Sequence, residues 1–429
     1  MKYGFKFLFT ITTAAMLYTP ALLADTVTNW NTTAVNIITD AIKPPDMANR
    51  AVALVQTSVY SAVNSINQRY PVTKPTVDAM DGASVDAAIA AANRRMLVEL
   101  IAKSKPTIDE VYNRAINSIP EGKSRDDGIA VGKQAAEAVL AMRAKDKVGV
   151  PESYRPITIP GIYIPTVIPV ASTWSANRLP WTLTSADQFR PPRPPAPDSA
   201  RWAKDYNEIK QIGERNSKVR TSDQTAAAKF WISTSPKTFY PITRSVTRQE
   251  GRELTRNARL FAMVSQAVDD SIIAVFDAKY HYSFWRPMTA IRNGDMDEND
   301  ATERVADWQP LVNNPMHPEY PCAHCIVASA IGSALKFDLG SEPTPLLSTT
   351  SSTADGATRS WKTIDGFVQE VSNARVWEGV HFRNSTEIGI KMGRYVAEQV
   401  VASHLAMSQQ YLLSFQSPIA TPKTLKPLK

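Results

Sequence analysis

Three short stretches in the C-terminal third of the chain gather long cations and histidines at spacings that suit an oxyanion. The first, AKYHYSFWRPMTAIR, carries Lys279 and Arg286. These two lie two helical turns apart, and at about 100° per residue the second side chain returns to within about 20° of the first. On one continuous helix, a point charge and a planar guanidinium would then reach the same anion. The bland reading of such a pair is a solvated basic stripe, but Tyr280, Tyr282, Phe284 and Trp285 around it argue against a water-facing helix. The second stretch, HPEYPCAHCIVASAIGSAL, places Cys322, Ala323 and His324 directly after Pro321, on the first turn of an expected helix. Free N–H groups and the positive end of the helix dipole collect there, which is a ready anion site. The third, NARVWEGVHFRNSTEIG, holds Arg375 and His381. A histidine at a helix start is more often a cap or a core residue. Here His281, His317, His324 and His381, out of five histidines in the chain, fall in these same stretches.

The elements that must position these groups read as helices. Residues 25–148 form an N-terminal helical part. Within it Met47–Ala62 and Ser84–Ala102 place apolar side chains at three- to four-residue spacing, with Ser84 as N-cap. Residues 149–200 change character: Pro151, Pro156, Pro160, Pro165, Pro169, Pro180 and the run FRPPRPPAP exclude regular helix. Tyr154, Tyr163, Trp174, Trp181 and Phe189 point to an ordered, packed connection rather than a loose linker. Residues 201–420 form a second helical part, with periodicity strongest from Arg248 to Trp285 and again over 323–335, 358–374 and 385–408. A polar gap is expected at 292–318 and a polar loop at 341–355. Few segments alternate like strands, so the expected fold class is all-α, with helix bundles enclosing the site.

Composition bounds the function. The chain has 429 residues, 43% hydrophobic and 21% charged, with a net charge of +7 that suits an anionic substrate. No Lys/Arg cluster is interleaved with aromatics, so nucleic acid is not an expected partner. Lys2 and Lys6 precede an uncharged, largely apolar run from Phe7 to Ala24. This reads as a signal peptide over 1–24, cleaved after Ala24 or Ala21, and implies an exported protein, periplasmic or secreted, from a bacterium. No later run is long enough for a stable membrane span. Residues 421–429 read as a loose basic tail.

Taken in order, K-x6-R-P, then P-x-x-H, then R-x5-H resembles the signature shared by vanadium-dependent haloperoxidases and the type-2 phosphatidic acid phosphatase superfamily. The words KYHYSFWRP, HPEYP and GVHF favour the haloperoxidase branch. The resemblance implies a mainly helical fold around bound vanadate, a site that phosphate also occupies. It implies His381 as the axial ligand of vanadium, or as the nucleophile on phosphorus in a phosphatase. Lys279, Arg286 and Arg375 would neutralise the oxyanion, Cys322 and Ala323 would contact it, and His324 would act as general acid/base. His317 falls on the halide side, where histidine goes with bromide or iodide. The implied reaction is oxidation of halide by hydrogen peroxide, with a small organic acceptor and vanadium as Lewis acid.

The chain departs from that pattern at Pro321-Cys322-Ala323-His324, where the family carries Pro-Ser-Gly-His. Ser385 stands where phosphatases carry an aspartate to orient the histidine, and Glu387 or another acid is the expected substitute. Cys322 and Cys325 are the only cysteines, and in an exported protein they are expected to form a disulfide. Two further readings follow from the same tetrad. One is a C-x-x-C thiol oxidoreductase, which needs a βαβ context that the sequence does not display. The other is an inactive anion-binding homologue. An acid phosphatase acting through a phosphohistidine is the alternative enzyme.

Overall fold

The computed structural model describes residues 24–405 apart from 150 and 153. The expected signal peptide, save Ala24, and the basic tail at 421–429 lie outside the described residues. Thirteen helices occur among those described: α1 Thr26–Ala41, α2 Pro45–Asn67, α3 Val85–Leu100, α4 Lys105–Asn117, α5 Lys123–Met142, α6 Ala200–Ile212, α7 Ser222–Phe230, α8 Pro236–Thr247, α9 Leu254–Tyr282, α10 Pro287–Arg292, α11 Ala323–Leu339, α12 Ile364–Trp377 and α13 Arg383–His404. The fold is helical, as expected. No helix among the described residues is long and apolar enough to cross a membrane.

Two regions depart from the sequence reading. The expected loop at 341–355 contains a strand, β1 (Leu347–Ser351), paired antiparallel with β2 (Ala357–Trp361), so the helix expected from 358 begins only at Ile364. The alternation escaped notice because the buried face of β1 carries hydroxyls: Leu347, Thr349 and Ser351 point inward, and Thr349 Oγ1 donates to the Thr238 carbonyl at 2.7 Å. The turn is Asp355-Gly356, both at positive φ, a short-range hairpin signal that the sequence does contain. The second region is the end of α9. Glu253 caps its start through Thr255 N and Arg256 N, and Ser283 closes it in the left-handed region at φ 45°. The helix therefore stops before Trp285.

Small residues set how closely the helices approach. A Cβ added at Gly132 of α5 would fall 2.2 Å from the Ala88 carbonyl of α3. One added at Gly393 of α13 would fall 2.2 Å from the Ile326 carbonyl of α11, and Gly389 meets Cys322 in the same way. Ser84 caps α3 as expected, accepting from Ala87 N at 3.3 Å. One core of aliphatic and aromatic side chains runs from Val27 to Val401, while a second cluster groups Trp202, Tyr206, Phe284, Trp285, Trp308, Tyr320 and Phe382. Burying each such side chain contributes about 1.5–3 kcal/mol.

The proline-rich connection contains no α-helix among its described residues and is held by α9. Asp269 pairs with Arg178 and accepts from Trp181 Nε1 at 2.9 Å. Asp270 accepts from Trp181 N at 2.7 Å and from Thr182 N and Oγ1 at 2.9 Å. Arg190 grips Asp277 with two bonds of 2.7 and 2.8 Å. Proline removes backbone donors, so carboxylates of a long helix supply the fixation that backbone pairing cannot. The same helix carries Lys279, so the strap and the site share one frame.

Candidate oxyanion site

Lys279 and Arg286 do meet, but not on one helical face. Lys279 lies in the last turn of α9, whereas Arg286 follows the left-handed Ser283 and stands in extended backbone before Pro287. What brings them together is the backbone of residues 317–319. Lys279 Nζ donates to the carbonyls of Pro318 and Glu319 at 2.9 and 2.8 Å. Arg286 donates to the His317 carbonyl through Nε at 3.0 Å and Nη2 at 2.8 Å, and to the Val380 carbonyl through Nη1 at 2.8 Å. Both cations are fully buried. Spacing anticipated the convergence for the wrong reason, since a two-turn separation has no meaning across a broken helix.

Arg375 sits in the last turn of α12, with Nη1 donating to the Trp231 carbonyl at 3.0 Å and pairing with Glu378. Its own carbonyl accepts from Val380 N and His381 N at 3.3 and 3.2 Å. That reversal needs Gly379, at φ +80°, where a Cβ would lie 2.4 Å from the Gly213 carbonyl. The turn returns His381 to the buried cations.

His381 Nδ1 lies 2.9 Å from Glu319 Oε1, and the same oxygen accepts from Phe382 N at 3.0 Å. A carboxylate at Nδ1 holds the proton there and leaves Nε2 as the acceptor nitrogen. Nε2 faces Arg286 Nη1 at 3.3 Å. The acid that orients His381 is therefore Glu319, not Glu387, which pairs with Arg201 at 2.8 Å far from the ring. Ser385 Oγ only reaches Nδ1 at 3.5 Å. Glu319 stands in the HPEYP word itself, yet nothing in its local spacing links it to a histidine 62 positions on.

His324 occupies the first turn of α11, as expected, and its Nε2 is buried without a partner among the described residues. Cys322 is the N-cap of α11 and is joined to Cys325 by a disulfide, as expected; both are fully buried. Its sulfur accepts from Cys325 N at 3.1 Å and has no hydrogen to donate to an anion. His317 is half-buried and edge-on to Phe276, with Nδ1 3.0 Å from Arg286 Nη2.

The electrostatics describe a site short of counter-charge. Burial pushes Lys279, Arg286 and Arg375 down, and for Lys279 the neighbouring Arg286 and Arg375 add to the effect. Burial likewise holds His317, His324 and His381 uncharged. Glu319 is pushed up to about 7 and Glu378 to about 8, burial outweighing the arginines beside them. An oxyanion among the three cations reverses their shifts. The donors fit such a group: Arg375 Nε and His324 Nε2 have no partner among the described residues, and His381 Nε2 would be free to contact it through its lone pair. Among the described residues no cluster of three or more His, Cys, Asp or Glu side chains could hold a bare metal ion.

Residues 259–410 match the family model of the vanadium chloroperoxidase (VCPO) second helical-bundle domain, and every residue named above as a site side chain lies within them. Vanadium chloroperoxidase of Curvularia inaequalis is 28% identical over 138 residues, which cover 27% of this chain and 23% of that enzyme. A bacterial vanadium-dependent iodoperoxidase superposes with a TM-score of 0.74 at 22% identity, over 88% of this chain and 96% of that one. A holo-type bacterial vanadium-dependent chloroperoxidase superposes with a TM-score of 0.68 at 15% identity, over 87% and 94%. Residues 259–410 thus match a vanadium chloroperoxidase helical-bundle domain, and the fold of the chain is that of the vanadium-dependent haloperoxidases.

Proposed function

We propose that this protein is a vanadate-dependent haloperoxidase that oxidises halide with hydrogen peroxide. The observation that carries the reading is the state of His381: its Nδ1–H is taken by Glu319, so Nε2 carries the ring's lone pair, 3.3 Å from Arg286 Nη1 among three buried cations. Lys279, Arg286 and Arg375 would hold the oxyanion by charge and hydrogen bonds, and the Ala323 amide at the start of α11 would add an N–H. Bound vanadate supplies a Lewis-acid centre that activates peroxide toward halide. His324, uncharged and with Nε2 unpartnered, is the group that takes and returns a proton there. His317, with Nδ1 3.0 Å from Arg286 Nη2, would lie on the halide side, where a histidine goes with bromide or iodide.

The same couple of Glu319 and His381 is what a nucleophilic histidine needs, which favours phosphomonoester hydrolysis as the second reading. Export is part of the proposal: the basic, then apolar, first 24 residues and the Cys322–Cys325 disulfide both suit an oxidising compartment.

The test incubates the purified protein with orthovanadate, hydrogen peroxide and iodide or bromide, following halogenation of a dimedone-type acceptor. A chromogenic phosphate ester runs in parallel. Halogenation that requires vanadate and disappears in His381→Ala supports the haloperoxidase. Ester hydrolysis inhibited by vanadate, without halogenation, supports the phosphatase instead.

A further inference from the structure

Glu378 has no part in the reading above, and its position calls for one. It caps the C-terminal end of α12, fully buried, and pairs with Arg375 three residues earlier. Neither carboxylate oxygen makes a well-formed hydrogen bond among the described residues. The only other cation whose charge reaches it appreciably is Arg286. A structural carboxylate of this kind is normally tied down by several donors, because burying it otherwise is costly. This one has a single partner, and that partner is a cation of the oxyanion site.

Arg375 is thereby divided. One Nη1 donates to the Trp231 carbonyl and pairs with Glu378, while Nε remains unpartnered. Two carboxylates, Glu319 and Glu378, face three cations, Lys279, Arg286 and Arg375. Glu319 is committed to His381 Nδ1 and Phe382 N, so its charge orients a ring. Glu378 makes no such commitment.

We propose that Glu378 competes with the bound oxyanion for Arg375 and so restricts the site to weakly held oxyanions of low charge. The inference rests on the reading of this cluster as an oxyanion site. A unit charge within reach of one guanidinium, inside a protein, changes anion affinity by more than tenfold. Removing it should strengthen binding, and more for the doubly than for the singly charged form of the anion.

The experiment measures binding of inorganic phosphate and of orthovanadate to the intact protein by isothermal titration calorimetry above pH 8, where Glu378 is ionised, without peroxide or halide. It compares wild type, Glu378→Gln and Glu378→Leu. Both variants should bind phosphate at least tenfold more tightly, equivalent to about 1.4 kcal/mol. The double variant Arg375→Gln/Glu378→Gln removes the pair together, which avoids a lone buried charge and guards against a folding failure of the single variants. In it the gain should vanish, since the competition acts through Arg375. Wild-type binding with less than threefold tightening in the single variants overturns the competition and leaves the oxyanion reading intact. A gain that persists in the double variant also overturns it. No binding of either anion by wild type or any variant overturns both readings.

Discussion

Replacing Glu319 by glutamine keeps the shape of the side chain and removes the charge that orients His381. Glu319 Oε1 accepts two hydrogen bonds, from His381 Nδ1 at 2.9 Å and from Phe382 N at 3.0 Å. A bond to a charged group contributes about 1.5–3 kcal/mol and a neutral one about 0.5–1.5 kcal/mol. If the amide oxygen takes the carboxylate's place, about 1 kcal/mol is lost per bond and about 2 kcal/mol for the pair. If the amide turns, its N–H faces Nδ1 and drives the imidazole proton to Nε2, which removes the lone pair from the site. Two kilocalories correspond to roughly 30-fold, within the roughly 10- to 100-fold cost of losing an outer-shell partner of a metal ligand. The assay is vanadate-dependent iodide oxidation at saturating peroxide, together with 15N shifts of the histidine ring, which report the tautomer. Glu319→Gln is expected to lower kcat by roughly 10- to 100-fold and to erode the Nδ1–H signature. Activity within twofold of wild type, with the His381 tautomer unchanged, would refute the positioning role.

Three further outcomes are expected. Gly393→Ala drives a methyl group to 2.2 Å from the Ile326 carbonyl, and the overpacking should cost about 1–3 kcal/mol in urea denaturation. Asp269→Asn leaves Arg178 a buried cation without its counter-charge; the cost should be about 3–5 kcal/mol, with faster proteolysis within 149–200. His404 is held uncharged by burial, down to about 3, with Nε2 donating to Gln266 Oε1 at 2.9 Å. The unfolded chain binds that proton below its ordinary value of about 6.5, so stability present above this pH is lost as pH falls toward 3. His404→Gln should flatten the decline of the thermal midpoint over that range and leave its pH dependence above it unchanged.

Much of the site is legible in the chain because its signals are local. Lys279, Arg286, His324, Arg375 and His381 stand out by residue type, order and aromatic surroundings. The start of α11 follows from Pro321, and the cysteine pairing follows from there being only two. Helical periodicity likewise anticipates α2, α3 and α11, whose apolar faces repeat within a few residues. The β1–β2 hairpin was hidden because two of the three inward side chains of β1, Thr349 and Ser351, are hydroxyls, which look like loop residues until their partners are known.

What the tertiary structure decided is which long-range partners these groups meet. Only the fold shows that Arg286 leaves α9 and is recaptured by the 317–319 carbonyls, or that Gly379 turns His381 back onto Arg375. Only the fold makes Glu319 the acid on His381, since that bond closes a loop of 62 residues. And only burial turns Glu378, an unremarked glutamate in RVWEGVH, into a charge with one arginine for company. Residue type and spacing determine which chemistry a chain can offer. The dielectric and the hydrogen-bond partners that set proton positions and charge balance arise when distant segments exclude water together.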